Sequence, residues 1–412
     1  MSFACVAEKW KDEAIRLRRQ FHQHPELGHQ EFETARTVAE FLQGAGLEVR
    51  TGVGGTGVVG LLHGSRPGKV LALRADMDAL PMEEKTGLPF ASLIPGVMHA
   101  CGHDVHTAIL LGTAAALSEY REHLHGTVKF IFQPAEEVRG GATDLIADGV
   151  LHSPKVDAIA ALHVWPNLPA GTVGIRKGPM LAAADAFDIR ITGKGGHAAY
   201  PHQTVDAVVI AAQVISALQT IVSRNASPLD SVVLSITKLQ SNSKAYNIIA
   251  DEVLLAGTVR THRTKTRDAL PERIRQLVQR VAEGFGGQAE LTYYRGGSPV
   301  VNDDRFVDVI RQAGEAIVGR EAVVELLEPS MGAEDFGAYL EHVPGAMFRL
   351  GTVSAEDARS QLPLHSDSII FDERAIVTGI AILGETALRY LGGNSQDDLV
   401  IGVAGKVGDA RD

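Results

Sequence analysis

The sequence predicts an α/β protein built on a mainly parallel sheet, with a smaller α+β unit inserted into it. Three observations predict this. Apolar runs of strand length alternate with runs of helical period through the first part of the chain, and polar residues cluster where those strands stop. The texture changes near Leu181–Asp185, where apolar and polar residues begin to alternate singly. A return is marked by Gly296, Gly297 and Pro299. At 412 residues, 45% of them apolar, the chain is too long for one ordinary core. We therefore expect a discontinuous larger domain, 1–185 with 299–412, and an inserted domain over 186–298.

The elements follow in order. Helical spacing runs from Ala7 to Gln20 and stops before Pro25, and a second helix from Glu31 to Ala45 ends at Gly46. Strand-like runs cover Gly57–His63 and Lys69–Arg74, the latter leading into Asp76 and Asp78. After His99–His103, the segment Asp104–Tyr120 reads as a buried helix, Thr127–Phe132 as a strand ending near Glu136 and Glu137, and Ala158–His163 as another. In the inserted unit, Ala186–Thr192, Ser231–Thr237 and Val253–Arg260 read as strands and Val205–Val222 as a helix. Helices over Asp303–Val318 and Asp372–Leu391 complete the larger domain, and the polar tail Asn394–Asp412 is expected to fray.

Charge and cysteine usage exclude several classes. A net charge of −11 gives no basic field to gather phosphates, so neither nucleic acid nor an anionic membrane is expected as a partner. Cys5 and Cys101 cannot form a disulfide framework, the first twenty residues lack the apolar core of a signal peptide, and no uninterrupted apolar run reaches membrane-spanning length. A cytoplasmic protein with a small-molecule substrate is the expectation.

Four segments concentrate residues that bind metals: MHACGHDVH at 98–106, QPAEE at 133–137, ALHVW at 161–165 and PLHSD at 363–367. Each alone is weak, because a single His is more often a hydrogen-bonded surface residue. Together they place a thiolate, imidazoles and carboxylates where apolar strands stop, and a buried group of that kind needs a partner. A divalent cation supplies one, and the mixed donor set suits zinc, manganese, cobalt or nickel. Two such ions would share a bridging ligand and hold a water of lowered pKa. Glu136 and Glu137, adjacent on irregular backbone, can turn one carboxylate to a metal and the other to that water. The residues also permit another reading, in which His103 activates Cys101 as a thiol nucleophile.

The chain resembles the metallo-amidohydrolases and peptidases that include aminoacylases, carboxypeptidase G, hippurate hydrolase and the indoleacetyl-amino acid hydrolases, with the hippurate hydrolase branch nearest. The matching stretches include HQHPELGHQEFET, LRADMDALPMEE, MHACGHDVHTA, FQPAEE, GKGGHAAYPH, AYNIIA, GTVRT, MGAEDF and PLHSD, running from Phe21 to about Leu391. The resemblance implies a di-metal catalytic domain carrying a lid and dimerisation domain. It implies Cys101, His103, Glu137, His163 and His365 as ligands of two divalent ions, and Glu136 as the general base that deprotonates the shared water. It further implies His197 as an oxyanion-stabilising lid residue and Asn247 and Arg260 as holders of a substrate carboxylate. The implied reaction is hydrolysis of an N-acyl amino acid, hippurate-like, by a homodimer or higher homo-oligomer formed through the lid. A non-catalytic relative that only binds such compounds is the alternative from another class.

Where more distant relatives carry His-x-Asp, this chain has Asp76-Met77-Asp78. Asp78 is accordingly read as orienting a ligand, and the role of Asp76 is left open, a purely structural one included. Asp104 reads equally as a helix N-cap or a functional group, His22 and His24 as packing residues, and Gly332, Glu334 and Asp335 as a loop shaping the substrate pocket, with Glu334 alternatively capping a helix.

Overall fold

The computed structural model describes residues 3–138 and 140–392, so the tail over 394–412 lies outside the described residues. The chain forms two compact units, one comprising the residues up to Gly178, Asn302–Glu328 and those from Ala338 on, the other Pro179–Val301 with Pro329–Gly337. The inserted unit thus begins earlier than 186, ends later than 298 and claims a separate segment. Non-local hydrogen bonds are the reason. Ser330 N donates to Met180 O at 2.9 Å and Ala182 N to Gly332 O at 2.8 Å, and His262 Nε2 donates to Ser330 O at 2.8 Å. Asp185 also lies inside this unit, its buried carboxylate accepting from Arg267, Tyr293 and Gly296.

The larger unit holds an eight-stranded sheet in the order Glu48–Val53, Gly57–His63, His125–Gln133, Arg66–Asp76, Ala158–Pro169, Gly345–Val353, Val173–Ile175, Val323–Glu325. Its four central strands are mutually parallel, and Glu48–Val53 and Gly57–His63 add an antiparallel hairpin at one edge. The register Asp76↔Gln133 and Arg74↔Ala161 brings Asp76, Gln133 and His163 to one level. Parallel pairing therefore gathers Asp76–Asp78, Pro134–Glu137 and His163 at the same end, the ordinary location of sites in such sheets.

Helices Lys11–Gln23, Phe32–Gly44, His103–Glu119, Asp304–Val318 and Arg374–Leu391 join this sheet in one core containing Leu71, Leu73, Phe130, Val164, Leu350, Ile109 and Ile380. Helix His103–Glu119 is buried from His103 through Leu117, which explains why it carries so little amphipathic period. It approaches Arg374–Leu391 closely at Gly112, where a Cβ would stand 2.4 Å from Ile380 Cδ1. The strand Gly345–Val353, absent from the sequence reading, is central and almost wholly buried. Two glycines and an arginine dilute its apolar run, so pattern alone does not reveal it.

The inserted unit has a four-stranded antiparallel sheet ordered Val232–Ser241, Glu252–Thr261, Ala183–Thr192, Gln288–Tyr294. Helices Ala207–Thr220 and Thr264–Gly284 cover it through Ile210, Val214, Leu218, Ile274 and Val278. Asp206 caps the first of these helices by accepting from Val208 N and Val209 N. The segment Ala207–Asn225 is long and apolar enough to cross a membrane by length and composition, but one face is packed into this core.

Candidate metal centre

The centre is assembled by three backbone irregularities. Gly102, at φ +85°, turns the chain between Cys101 and His103, and a Cβ there would lie 2.4 Å from Val164 Cγ2. Only glycine fits both constraints. Ala135 at φ 58° and His365 at φ 66° are left-handed without being glycine, a conformation costing about 1–3 kcal/mol each that clusters at functional sites. Both are held from outside: Ala135 N donates to Glu31 Oε1 at 2.8 Å, and His365 N donates to Ala100 O at 3.0 Å. Glu31 is itself buried and accepts from Thr56 Oγ1 at 2.6 Å. Its pinning of the Pro134–Glu137 turn has no signature in the sequence.

The structure brings Cys101, His103, His163, Glu137, His365 and Glu136 together within the larger unit. Donor atoms of Cys101, His103 and His163 lie within 4.8 Å of one another, as do those of Cys101, Glu137 and His365, and those of His103, Glu136 and Glu137. Cys101 is common to the first two groups. Its Sγ stands 3.6 Å from His163 Nε2, while His365 Nε2 is 3.1 Å from Glu137 Oε1.

The surrounding hydrogen bonds orient these groups. His103 Nδ1 donates to Asp78 O at 2.9 Å and His163 Nδ1 to Val164 O at 2.8 Å. Each ring thereby turns its Nε2 toward the cluster. Asp78 Oδ2 accepts from Glu137 N at 2.9 Å, so one residue fixes two of the candidate ligands. Asp76 is fully buried and accepts from Arg74 Nη1 and His106 Nδ1, both at 2.6 Å. His106 Nε2 in turn accepts from Val164 N at 2.9 Å, holding the strand beside His163. The sequence reading passed over His106, although its place three residues after His103 puts both rings on one helix face.

Asp104 is not an N-cap: Gly102 occupies that position, and the Asp104 carboxylate accepts from Arg18 Nε and His22 Nδ1, both at 2.8 Å. Donor atoms of Asp76, His103 and His106 also lie within 4.8 Å of one another. His22 bridges Asp104 and Glu84, whereas His24 Nδ1 donates to Gln20 O. Glu334 Oε1 accepts from Phe336 N.

The electrostatics fit a cation. Burial would raise Asp76, but the charges of His103, His106 and Arg74 hold it well below the usual carboxylate range. Burial would lower His103, but Asp76 and Cys101 lift it well above an ordinary imidazole. Burial, with His106 adding to it, pushes His163 down to about 3, so this imidazole is neutral and its lone pair available. His103 Nε2 and Glu137 Oε1 are buried atoms without a hydrogen-bond partner. The cluster demands positive charge, and a divalent ion can supply it in place of protons. Burial also pushes the Cys101 thiol well above its ordinary range, His103 only partly opposing this.

His197, Asn247 and Arg260 belong to the inserted unit. His197 pairs with Ile248 in a two-residue ladder, and its Nδ1 accepts from Ala199 N at 3.1 Å. Asn247 O accepts from Ala198 N at 3.0 Å, so His197 and Asn247 lie on facing segments. Arg260 is half-buried on the strand Glu252–Thr261.

Fold and donor set define an α/β protein whose mainly parallel sheet carries a candidate metal centre at its strand ends. The chain belongs to the peptidase family M20/M25/M40, whose description matches residues 72–389. It is 41% identical over 387 residues to the N-acetyl-L-cysteine deacetylase of Bacillus subtilis, covering 93% of this chain and 90% of that one. It is 45% identical over 300 residues to the N-acyl-L-amino acid amidohydrolase of Geobacillus stearothermophilus, covering 73% and 80%. Among solved structures it is similar to a Bacillus subtilis protein described as a dinuclear metal binding peptidase of the M20 family. There the TM-score is 0.82 at 37% identity, covering 93% of this chain and 99% of that one.

Proposed function

We propose that this chain is a metal-dependent amidohydrolase that cleaves N-acyl amino acids into a carboxylic acid and a free amino acid. The observation that carries the reading is the position of Cys101 in two overlapping donor groups, with Glu136 beside Glu137 and His103. Cys101, His103, Glu137, His163 and His365 would hold two divalent ions, with zinc, manganese, cobalt or nickel all compatible with the donor set. When bound, such ions polarise the scissile carbonyl and lower the pKa of water. Glu136 takes a proton from the attacking water and delivers it to the departing amine nitrogen. Asp78 and His106 keep the ligand side chains and the His163 strand in place. His197 stabilises the developing oxyanion, and Asn247 and Arg260 hold the amino acid's carboxylate.

The finer proposal is an aromatic acyl group, as in N-benzoylglycine. A panel of N-benzoyl, N-acetyl and indoleacetyl amino acids tests both levels. Metal-reconstituted protein should release free amino acid, chelation with EDTA should reduce the rate by at least about a hundredfold, and added divalent metal should restore it. Turnover undiminished in metal-free protein would overturn the reading in favour of a thiol amidase.

We propose further that the inserted unit acts as a lid and as the contact between two copies. The strand Val232–Ser241 lies at the edge of its sheet, and Val208 and Val209 are exposed on the neighbouring helix, features suited to strand and helix pairing with a second copy. Sedimentation should return twice the chain mass, and a monomer at micromolar concentration would refute the pairing.

A further inference from the structure

One buried cation in the larger unit stands outside everything described above. Arg349 is only 8% exposed, its Nη2 is buried without a hydrogen-bond partner, and among the described residues no acid is paired with it. Its guanidinium lies 3.7 Å from the Trp165 ring centroid. Stacking on indole favours a cation but satisfies none of its N–H donors. Arg176 faces it as a second cation, tied down by donating through Nη1 to Leu326 O and Leu327 O. Desolvation, with Arg176 adding to it, pushes Arg349 down to about 10. A guanidinium kept out of water, beside a like charge and without an acid, is costly unless an anion completes it.

The position of Arg349 says which anion. It is the register partner of His163 on the adjacent parallel strand, with Trp165 opposite Gly351 two residues further on. Paired residues of neighbouring strands point to the same face with backbones about 4.8 Å apart, so Arg349, Trp165 and His163 share the face on which the metal donors lie. The His163 and Trp165 rings are 6.0 Å apart, which puts the guanidinium across one indole from a candidate ligand.

We infer that Arg349, stacked on Trp165, binds a second carboxylate of the substrate, one carried in addition to the amino acid's own. This rests on the amidohydrolase reading above for its substrate, but the anion site itself does not. The planar fork suits a carboxylate bidentately, and the indole shields the pair from water. Substrates with an acidic group on the acyl half or on the amino acid side chain would then be preferred over their neutral counterparts.

Two measurements test it. The chain has two tryptophans, so Trp10→Phe leaves Trp165 as the sole indole reporter beside the guanidinium. Titration of that protein with succinate should change its emission saturably, and the additional Arg349→Met change should abolish the response while Arg349→Lys keeps part of it. Kinetically, Arg349→Met should raise KM by at least about tenfold for N-acyl amino acids bearing a second carboxylate. Their amide counterparts, and the kcat of both, should stay within twofold. An equal effect on acid and amide, or none on either, would overturn the inference. A response to inorganic phosphate but not to succinate would also overturn it, identifying an inorganic-anion site instead. If no N-acyl amino acid is turned over, the fluorescence arm still decides whether the anion site exists, so the two readings fail separately.

Discussion

Glu136→Gln is expected to lower kcat by about 10²- to 10⁴-fold while leaving the metal content of the parent protein unchanged. The amide keeps the size of the carboxylate but cannot accept the proton that water must lose. Glu136 lies within 4.8 Å of donor atoms of Glu137 and His103, close enough to reach a water held there, yet the two donor groups built around Cys101 do not include it. Glu137→Gln should behave differently. Glu137 Oε1 is buried and unpartnered apart from its approach to His365, and loss of its charge should release metal before chemistry is reached. Metal analysis alongside steady-state kinetics separates the two variants. Full turnover by metal-loaded Glu136→Gln would remove Glu136 from the mechanism, and loss of metal from it would make it a ligand.

The site was more legible than its supports. Strand ends rich in polar groups made a metal plausible, and the family resemblance picked out Cys101, His103, Glu137, His163 and His365, whose donor atoms the structure gathers. The groups that hold them are spread through the chain without any such mark. Glu31 acts on Ala135 across 104 residues, and His106 acts on Val164 across 58. Neither interaction follows from local propensity, because a buried hydrogen bond between distant segments depends on the sheet order that brings them together. The same cause hid the strand Gly345–Val353, whose apolar character comes from being enclosed by Ala158–Pro169 on one side and Val173–Ile175 on the other. It also blurred the domain border, since Pro329–Gly337 joins the inserted unit through bonds to Met180 and Ala182 and not through composition.

Arg18→Met should destabilise the larger unit by about 3–5 kcal/mol, the usual result of stripping a buried carboxylate of its partner. Arg18 is fully buried, with Nε on Asp104 Oδ2 at 2.8 Å and Nη1 on Glu373 Oε1 at 3.2 Å. Asp104 follows His103 at the start of the helix, so the same contact steadies the ligand-bearing turn. Burial would raise Asp104, but Arg18 and His22 hold it well below the carboxylate range. Its contribution is therefore complete above the ordinary Asp value and lost only as pH falls below it. His22 runs the other way. Burial would lower it, but Asp104 and Glu84 raise it, with Arg18 opposing. Its contribution is present below the ordinary His value and lost as pH rises through the raised one. Without Arg18, protonated His22 is the remaining cation on Asp104, so the penalty of Arg18→Met should be larger at pH 8 than at pH 6. Urea unfolding of parent and variant at both values measures this. A penalty below about 1 kcal/mol, or one equal at the two pH values, would mean that Asp104 does not depend on this pair of cations.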